Sequence, residues 1–469
     1  MKRLITLFFV FSSFLAVYAQ VLPNGGFEDW DTTLLFQEPT DYNSTNPFTL
    51  LNDGINTTTL VQGMTPQDSA VHLETKRGIG RGALWAGTFG NLNYFTRQGG
   101  TAFSGQPDSI SYRVNYKIQP GDTAIMTIVF YAQGATRPFA GTNVYLTGSS
   151  NGWVEVTQAM DFPVNKPPAA YIFQCSSSKS DASAVEGSIL EIDYFYLNSP
   201  EQIDNADFEQ WDDTNFEDPN GFRSLNAFSA ALGAPFGVTK DTAAIEGEYC
   251  ARIETKLIQI GTNVIDLGFL QSGETDNPYL PISKLPAALD GMYKYAPAAN
   301  TDVGVVVLIM VSNHPPTPER RDTIAIPLSE AVDWTKFEIN LQPLNLPVPD
   351  SFALYMFASN PDQPVQQSVL TLDGLKFVPI TSVNEPGKAQ DKEWSISPNP
   401  VRDYFVISGL EEDDSPTEVS VFDQKGRILQ KSASYHAGEK LFVGDYPRGY
   451  YSVRIQQKDY MKAFLFYKN

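Results

Sequence analysis

Four carboxylates fall in two pairs, Glu28 with Asp193 and Glu209 with Asp373, each pair where two strands of one domain could bring its members together. Glu28 sits in NGGFEDWD (Asn24 to Asp31) and Glu209 in NADFEQWD (Asn205 to Asp212). Asp193 and Asp373 sit in SILEIDYFYL and SVLTLDGLKF. Apolar residues there fall at Leu190 and Ile192, then Phe195 and Leu197, and in the second segment at Leu370, Leu372, Leu375 and Phe377. Period-two alternation therefore slips at each Asp, as a β-bulge makes it do, and bulges re-aim side chains. Carboxylates held side by side repel unless a cation or a base joins them.

A second kind of chemistry is stacking. Trp85, Tyr94 and Arg97 lie in a Gly- and Asn-rich stretch, together with Phe89 and Phe95. An aromatic face suits the apolar face of a pyranose, and Arg offers a forked donor to hydroxyls or carboxylates. Aromatics in Gly-rich hairpins also close the ends of sandwiches, so both readings stand. The other tryptophans, Trp30/Trp211 and Trp153/Trp334, recur in register and read as packing.

Catalysis finds less support. Three histidines, His72, His314 and His436, are too scattered for a metal or a Ser-His-Asp site. Glu191-Ile192-Asp193 has half of the paired carboxylates of a glycosidase, which need a second acid about 5 Å away. Its duplicate, Thr371-Leu372-Asp373, keeps only the Asp. No phosphate-cradling glycine loop is present. The expectation is a protein that is not an enzyme.

The elements that must position these residues come twice. Each box is followed by a polar loop, then DSAVHLETK or GEYCARIETK, then strands at Ser109 to Tyr116 and Ala288 to Tyr295. PGD and ANTD turns lead into the apolar runs TAIMTIVFY and VGVVVLIMV, and the paired strands at Ala169 and Phe352 precede the final ones. Short β-branched runs between Gly/Pro/Asn/Asp turns predict antiparallel two-sheet sandwiches. Cys175 and Cys250 each fill a small-residue slot, opposite Ala358 and Ala70, and read as buried free thiols. A bridge between them would join the two copies.

The flanks carry transport signals. Lys2 and Arg3, an apolar run to Val17, and Val-Tyr-Ala before Gln20 predict a signal peptide at 1–19. No later run is long enough to span a bilayer. Removing Lys2 and Arg3 takes the net charge from −21 to −23 (−21 − 2), which disfavours nucleic acid and anionic membrane as partners. Residues 379–393 are polar and aperiodic, a linker.

Two resemblances follow. The copies resemble jelly-roll carbohydrate-binding modules and, more closely, the carbohydrate metabolism domain of exported polysaccharide-associated proteins. The carrying residues are the FE-x-W openings, the ETK strands, Tyr293-Lys294-Tyr295 and the closing GS-x-L-x-I-D. Beyond Trp394, Ser397-Pro398-Asn399-Pro400, Phe422-Asp423-x-x-Gly426 and Pro447-x-Gly449-x-Tyr451-x-Val453 resemble a type A C-terminal sorting domain of type IX secretion. That resemblance implies outer-membrane translocation, removal of this domain, and in many cases attachment to surface lipopolysaccharide.

The expected fold is all-β: two tandem antiparallel jelly-roll sandwiches (20–199 and 200–378) plus a small C-terminal Ig-like β-sandwich (394–469). The jelly-roll resemblance also implies a structural Ca2+ in each module, from Glu28 with Asp193 and from Glu209 with Asp373. Ca2+ takes several oxygens in flexible geometry. An ion pair from each Glu to Lys76 or Lys256 is the alternative. The expected protein is secreted or held on the outer face of the outer membrane, and it engages the type IX machinery through its C-terminal domain. It binds a glycan or polysaccharide, with Trp85, Tyr94 and Arg97 at the site. A structural or adhesive protein that binds protein partners is the alternative, and a polysaccharide-degrading enzyme the third.

Overall fold

The structure, a computed structural model, describes residues 22–380 and 394–469 apart from 80–82, 94–97, 163–165, 181, 261–262, 314, 316–317, 343–345, 411–416, 424–426 and 458–459. The signal peptide, most of the linker, His314, Tyr94 and Arg97 lie outside the described residues. The chain is nearly all β, and none of the described helices is long and apolar enough to cross a membrane.

The first module is a sandwich of two antiparallel sheets. One runs Val154–Ala159, Ser109–Lys117, Ile189–Leu197, Ser69–Glu74, Thr58–Gln62. The other is built on Ala140–Leu146, Ala124–Tyr131, Ala170–Ser176 and Thr88–Gly90. Alternation decides what meets inside. Ile110, Tyr112 and Val114 from the first sheet face Met126, Ile128, Phe130, Phe173 and Cys175 from the second, all buried. The second module repeats the plan, with Ala331–Asn340, Ala288–Ala296, Val369–Val378, Cys250–Glu254 and Val238–Asp241 in one sheet. Its other sheet is centred on Gly304–Ser312 and Ser351–Phe357. Both cysteines are free and buried.

The slips at the two Asp residues are bulges. Arg113 pairs with Tyr194 but Val114 with Ile192, which leaves Asp193 as the extra residue. Asp290 pairs with Lys376 but Met292 with Asp373, so the extra length falls beside Asp373.

Each module is closed by the box that its own repeat does not begin with. Leu22 and Phe27 are buried in the core of the second module, the Phe27 ring 5.1 Å from Phe222. Ile203, Ala206 and Phe208 are buried in the core of the first, Phe208 5.4 Å from Phe89. The compact units accordingly break after Asp31 and after Glu217, not at 199. The strands on either side, Trp30–Pro39 and Trp211–Pro219, pair with each other.

The box itself is a small machine of hydrogen bonds. Asn24 Nδ2 donates to the Asp29 carbonyl at 2.8 Å while its Oδ1 accepts from the Asp29 amide at 3.1 Å. Asn205 does the same to Gln210 at the same distances. That clamp turns the chain so that Phe27 and Phe208 take positive φ (55° and 52°) and point inward. Trp30 and Trp211 then donate their indole N–H to the Phe carbonyl, each at 2.7 Å. Both tryptophans are half-buried and pack against the module cores, in line with the packing role read from the sequence.

Two short helices, Asn46–Asp53 and Asn226–Leu232, stand where a polar loop was expected. Pro47 near the start and Gly54 in the left-handed conformation bound the first. At eight residues it is too short to show a period.

Candidate functional site

The acids predicted to meet do not meet in the predicted pairs. Because the boxes cross over, Glu28 lies in the compact unit that holds Asp373, and Glu209 in the one that holds Asp193. Glu28 accepts from the amides of Glu248 at 2.9 Å and Tyr249 at 3.3 Å. Asp373, fully buried, accepts from the amides of Ile245, Glu246 and Gly374. Burial pushes its pKa up, against those amides, which pull it down. In the other module Glu209 accepts from the Ser69 amide at 2.9 Å, and Asp193 from Arg113 at 2.8 Å.

These donor sets do not fit Ca2+. A calcium ion needs six to eight oxygens. Here the carboxylate oxygens point at N–H groups and, on Asp193, at a guanidinium that already supplies the positive charge. Among the described residues no three His, Cys, Asp or Glu gather closely enough to hold a metal. The lysine alternative also fails: Lys76 pairs with Glu74 and Lys256 with Glu254.

Trp85 is half-buried in a short hairpin opposite Lys76, and its indole N–H donates to Asp53 Oδ2 at 2.5 Å. That bond ties the hairpin to the end of the first helix, which favours the closing reading of this tryptophan.

A polar constellation lies instead on the outward face of the first module's 109–117 sheet. Residues that alternate with the core ones point away from it, and strand pairing lines them up. Asn115 pairs across to Glu191 and Glu191 to His72. Asn115 Nδ2 donates to Glu191 Oε2 at 2.7 Å, and His72 Nδ1 lies 3.0 Å from Glu191 Oε1. His72 Nε2 faces Glu74 at 3.7 Å. The His72 hydrogen bond is the main reason the Glu191 pKa is lowered, with Asn115 adding to it.

Next along the sheet, Arg113 bridges Asp193 at 2.8 Å and Glu155 at 3.3 Å. Its guanidinium lies 4.6 Å from the centre of the Tyr194 ring. Tyr194 in turn stacks on Tyr196 at 4.7 Å and 22°. Burial is the largest cause pushing the Tyr194 hydroxyl up to about 12. Tyr196 is 38% exposed, so one aromatic ring of the stack reaches solvent. Each of these polar side chains is thus held in place by a neighbour.

The second module does not repeat this face. Where the first has His72, Asn115, Glu191, Tyr194 and Tyr196, it has Arg252, Lys294, Thr371, Gly374 and Lys376. Arg252 is occupied by Glu254 at 2.6 Å, and Lys294 lies over the Trp334 ring.

Comparison with known proteins bears chiefly on the C-terminal domain. Residues 395–464 match the family described as the secretion system C-terminal sorting domain. The domain read from SPNP and Pro-x-Gly-x-Tyr is therefore a sorting domain of type IX secretion, and the chain is an exported protein. No curated protein matches the chain in sequence. Among solved structures, the glycoside hydrolase domain of Endo-D from Streptococcus pneumoniae R6 shares 13% identity over 49% of this chain and 35% of its own, at a TM-score of 0.19. The CBM22-1–CBM22-2 tandem domain of Xyn10C from Paenibacillus barcinonensis shares 9% over 74% of this chain and 98% of its own, at 0.20. The adhesin domain of Epf from Streptococcus pyogenes shares 10% over 47% and 76%, at 0.14. The chain spans about a third of the first of these structures. At such scores none of them informs ligand or activity.

Proposed function

We propose that this is a surface-exposed or released binding protein, not an enzyme, and that its first module holds a glycan on the outward face built by His72, Asn115, Glu191, Arg113, Tyr194 and Tyr196. The observation that carries the reading is the fixed Asn115–Glu191–His72 row beside the Tyr194–Tyr196 stack. Sugars are recognised by planar groups that accept and donate to neighbouring hydroxyls, next to an aromatic ring that covers an apolar ring face. A carboxylate pinned on one oxygen by an amide and on the other by an imidazole is pre-oriented, which lowers the cost of binding.

The same ties argue against hydrolysis. A general acid needs a raised pKa, and that of Glu191 is lowered. The remaining acids of the face are engaged with Arg113, Lys76 or His72.

A glycan array probed with the full chain tests the proposal. Binding that is lost in Glu191→Gln or Tyr196→Ala supports it. Binding of protein ligands only would favour the adhesive reading, and reducing-sugar release from a polysaccharide panel would favour the enzyme.

A further inference from the structure

The last strand of the sorting domain, Tyr460–Lys468, is apolar on both faces, yet its own domain uses only one. Phe464 and Phe466 enter the domain's core, where Phe466 packs on Phe405 at 5.0 Å and Tyr451 at 5.6 Å. Ala463 and Leu465 point the other way and are buried in the core of the second module. Beside them lie Ile324, Ile326 and Ile339. The backbone joins too: Ala463 pairs in parallel with Ile339, so the second module's sheet runs on into the sorting domain. Lys462 Nζ pairs with Glu338 at 3.3 Å, both side chains largely buried.

This seat covers an edge that would otherwise be bare. Ala331–Asn340 is a ten-residue outer strand of the module, and an uncovered strand of that length is a template for unwanted pairing. The contact is also imperfect. Ser420 and Ser452 hydroxyls and Arg454 Nε and Nη1 are buried without a hydrogen-bond partner among the described residues. Such groups regain water when a contact opens, which suits a surface made to part.

We propose that the second module carries a docking seat for the sorting domain that works without the covalent linker: cutting the chain between 381 and 393 leaves the sorting domain bound in trans, covering the edge of 331–340. Processing and release are then separate events. The inference is independent of sugar binding by the first module.

The test places a protease site within 381–393 of the full chain, cuts it, and runs the products on size exclusion at micromolar concentration. The two pieces co-elute. Leu465→Asp, whose side chain lies outside the sorting domain's own core, separates them while the circular dichroism of each piece is kept. Glu338→Lys weakens the association by about tenfold, and Lys462→Glu in the same chain restores it. Wild-type pieces that elute apart would overturn the proposal, as would a charge swap that fails to restore what the single change lost.

Discussion

Phe27 is the side chain by which the N-terminal box enters the second module, so Phe27→Ala reads out which module that box completes. The ring is fully buried and lies 5.1 Å from Phe222 in the core that includes Leu289, Leu372 and Leu375. Truncating a buried Phe to Ala removes its transfer energy and leaves a cavity, about 3–5 kcal/mol together. For a module of this size that lowers the melting temperature by roughly 10 °C. Hydrogen exchange read by mass spectrometry locates the loss. Amides in 288–296 and 369–378 should lose protection, while those in 109–117 and 189–197 keep theirs. Phe208→Ala, equally buried but in the first module's core, should give the mirror pattern. Deprotection of 109–117 and 189–197 by Phe27→Ala would refute the crossover and return each box to its own repeat.

Three further outcomes follow from the same structure. Asp302 accepts from Tyr295, Ser359 and Ser368 hydroxyls, and Asp122 from those of Ser178 and Ser188. Either Asp→Ala change strands several buried donors and should cost its module roughly 3–5 kcal/mol in denaturant unfolding. Burial raises the pKa of Asp218 from 3.8 to about 6, although the Ser224 hydroxyl and amide pull the other way. Because the folded value is the higher one, its contribution favours folding fully below pH 3.8 and is lost as pH rises through about 6. The difference in unfolding free energy between wild type and Asp218→Asn should therefore change by up to about 3 kcal/mol between pH 4 and pH 7. It should favour the wild type at the acid end, and a flat difference would contradict the assignment. EDTA should leave the melting of both modules unchanged, since Glu28, Glu209, Asp193 and Asp373 are satisfied by amides and Arg113; a drop of several degrees, reversed by calcium, would restore the metal.

Much of the fold could be read in advance because it is written locally. The doubled boxes, the strand runs and the slips at Asp193 and Asp373 all lie within ten residues of themselves, and each became a box, a strand or a bulge. Which module a box closes is not local. Leu375 N donates to Gly25 O at 2.8 Å and Phe195 N to Ala206 O at 2.8 Å, so the two copies make the same bond to equivalent residues. Identical docking chemistry in both modules leaves the choice to how the chain passes between them, and no residue type records that. The polar face was hidden for a related reason. His72, Arg113, Asn115 and Glu191 come from three strands, and only their register shows that they adjoin. Asp122 and Asp302 looked like turn residues because their hydroxyl partners lie more than fifty positions away, apart from Tyr295.

The central claim is that the outward face of the first module binds sugar and that the matching face of the second does not. Calorimetric titration of one glycan identified on the array tests it most directly, with the full chain, Glu191→Gln, Tyr196→Ala and a Thr371→Val control on the second module. The account predicts one site per chain, at least tenfold weaker binding (about 1.4 kcal/mol) in each of the two first-module variants, and no change in the control. Unchanged affinity in both Glu191→Gln and Tyr196→Ala would contradict it.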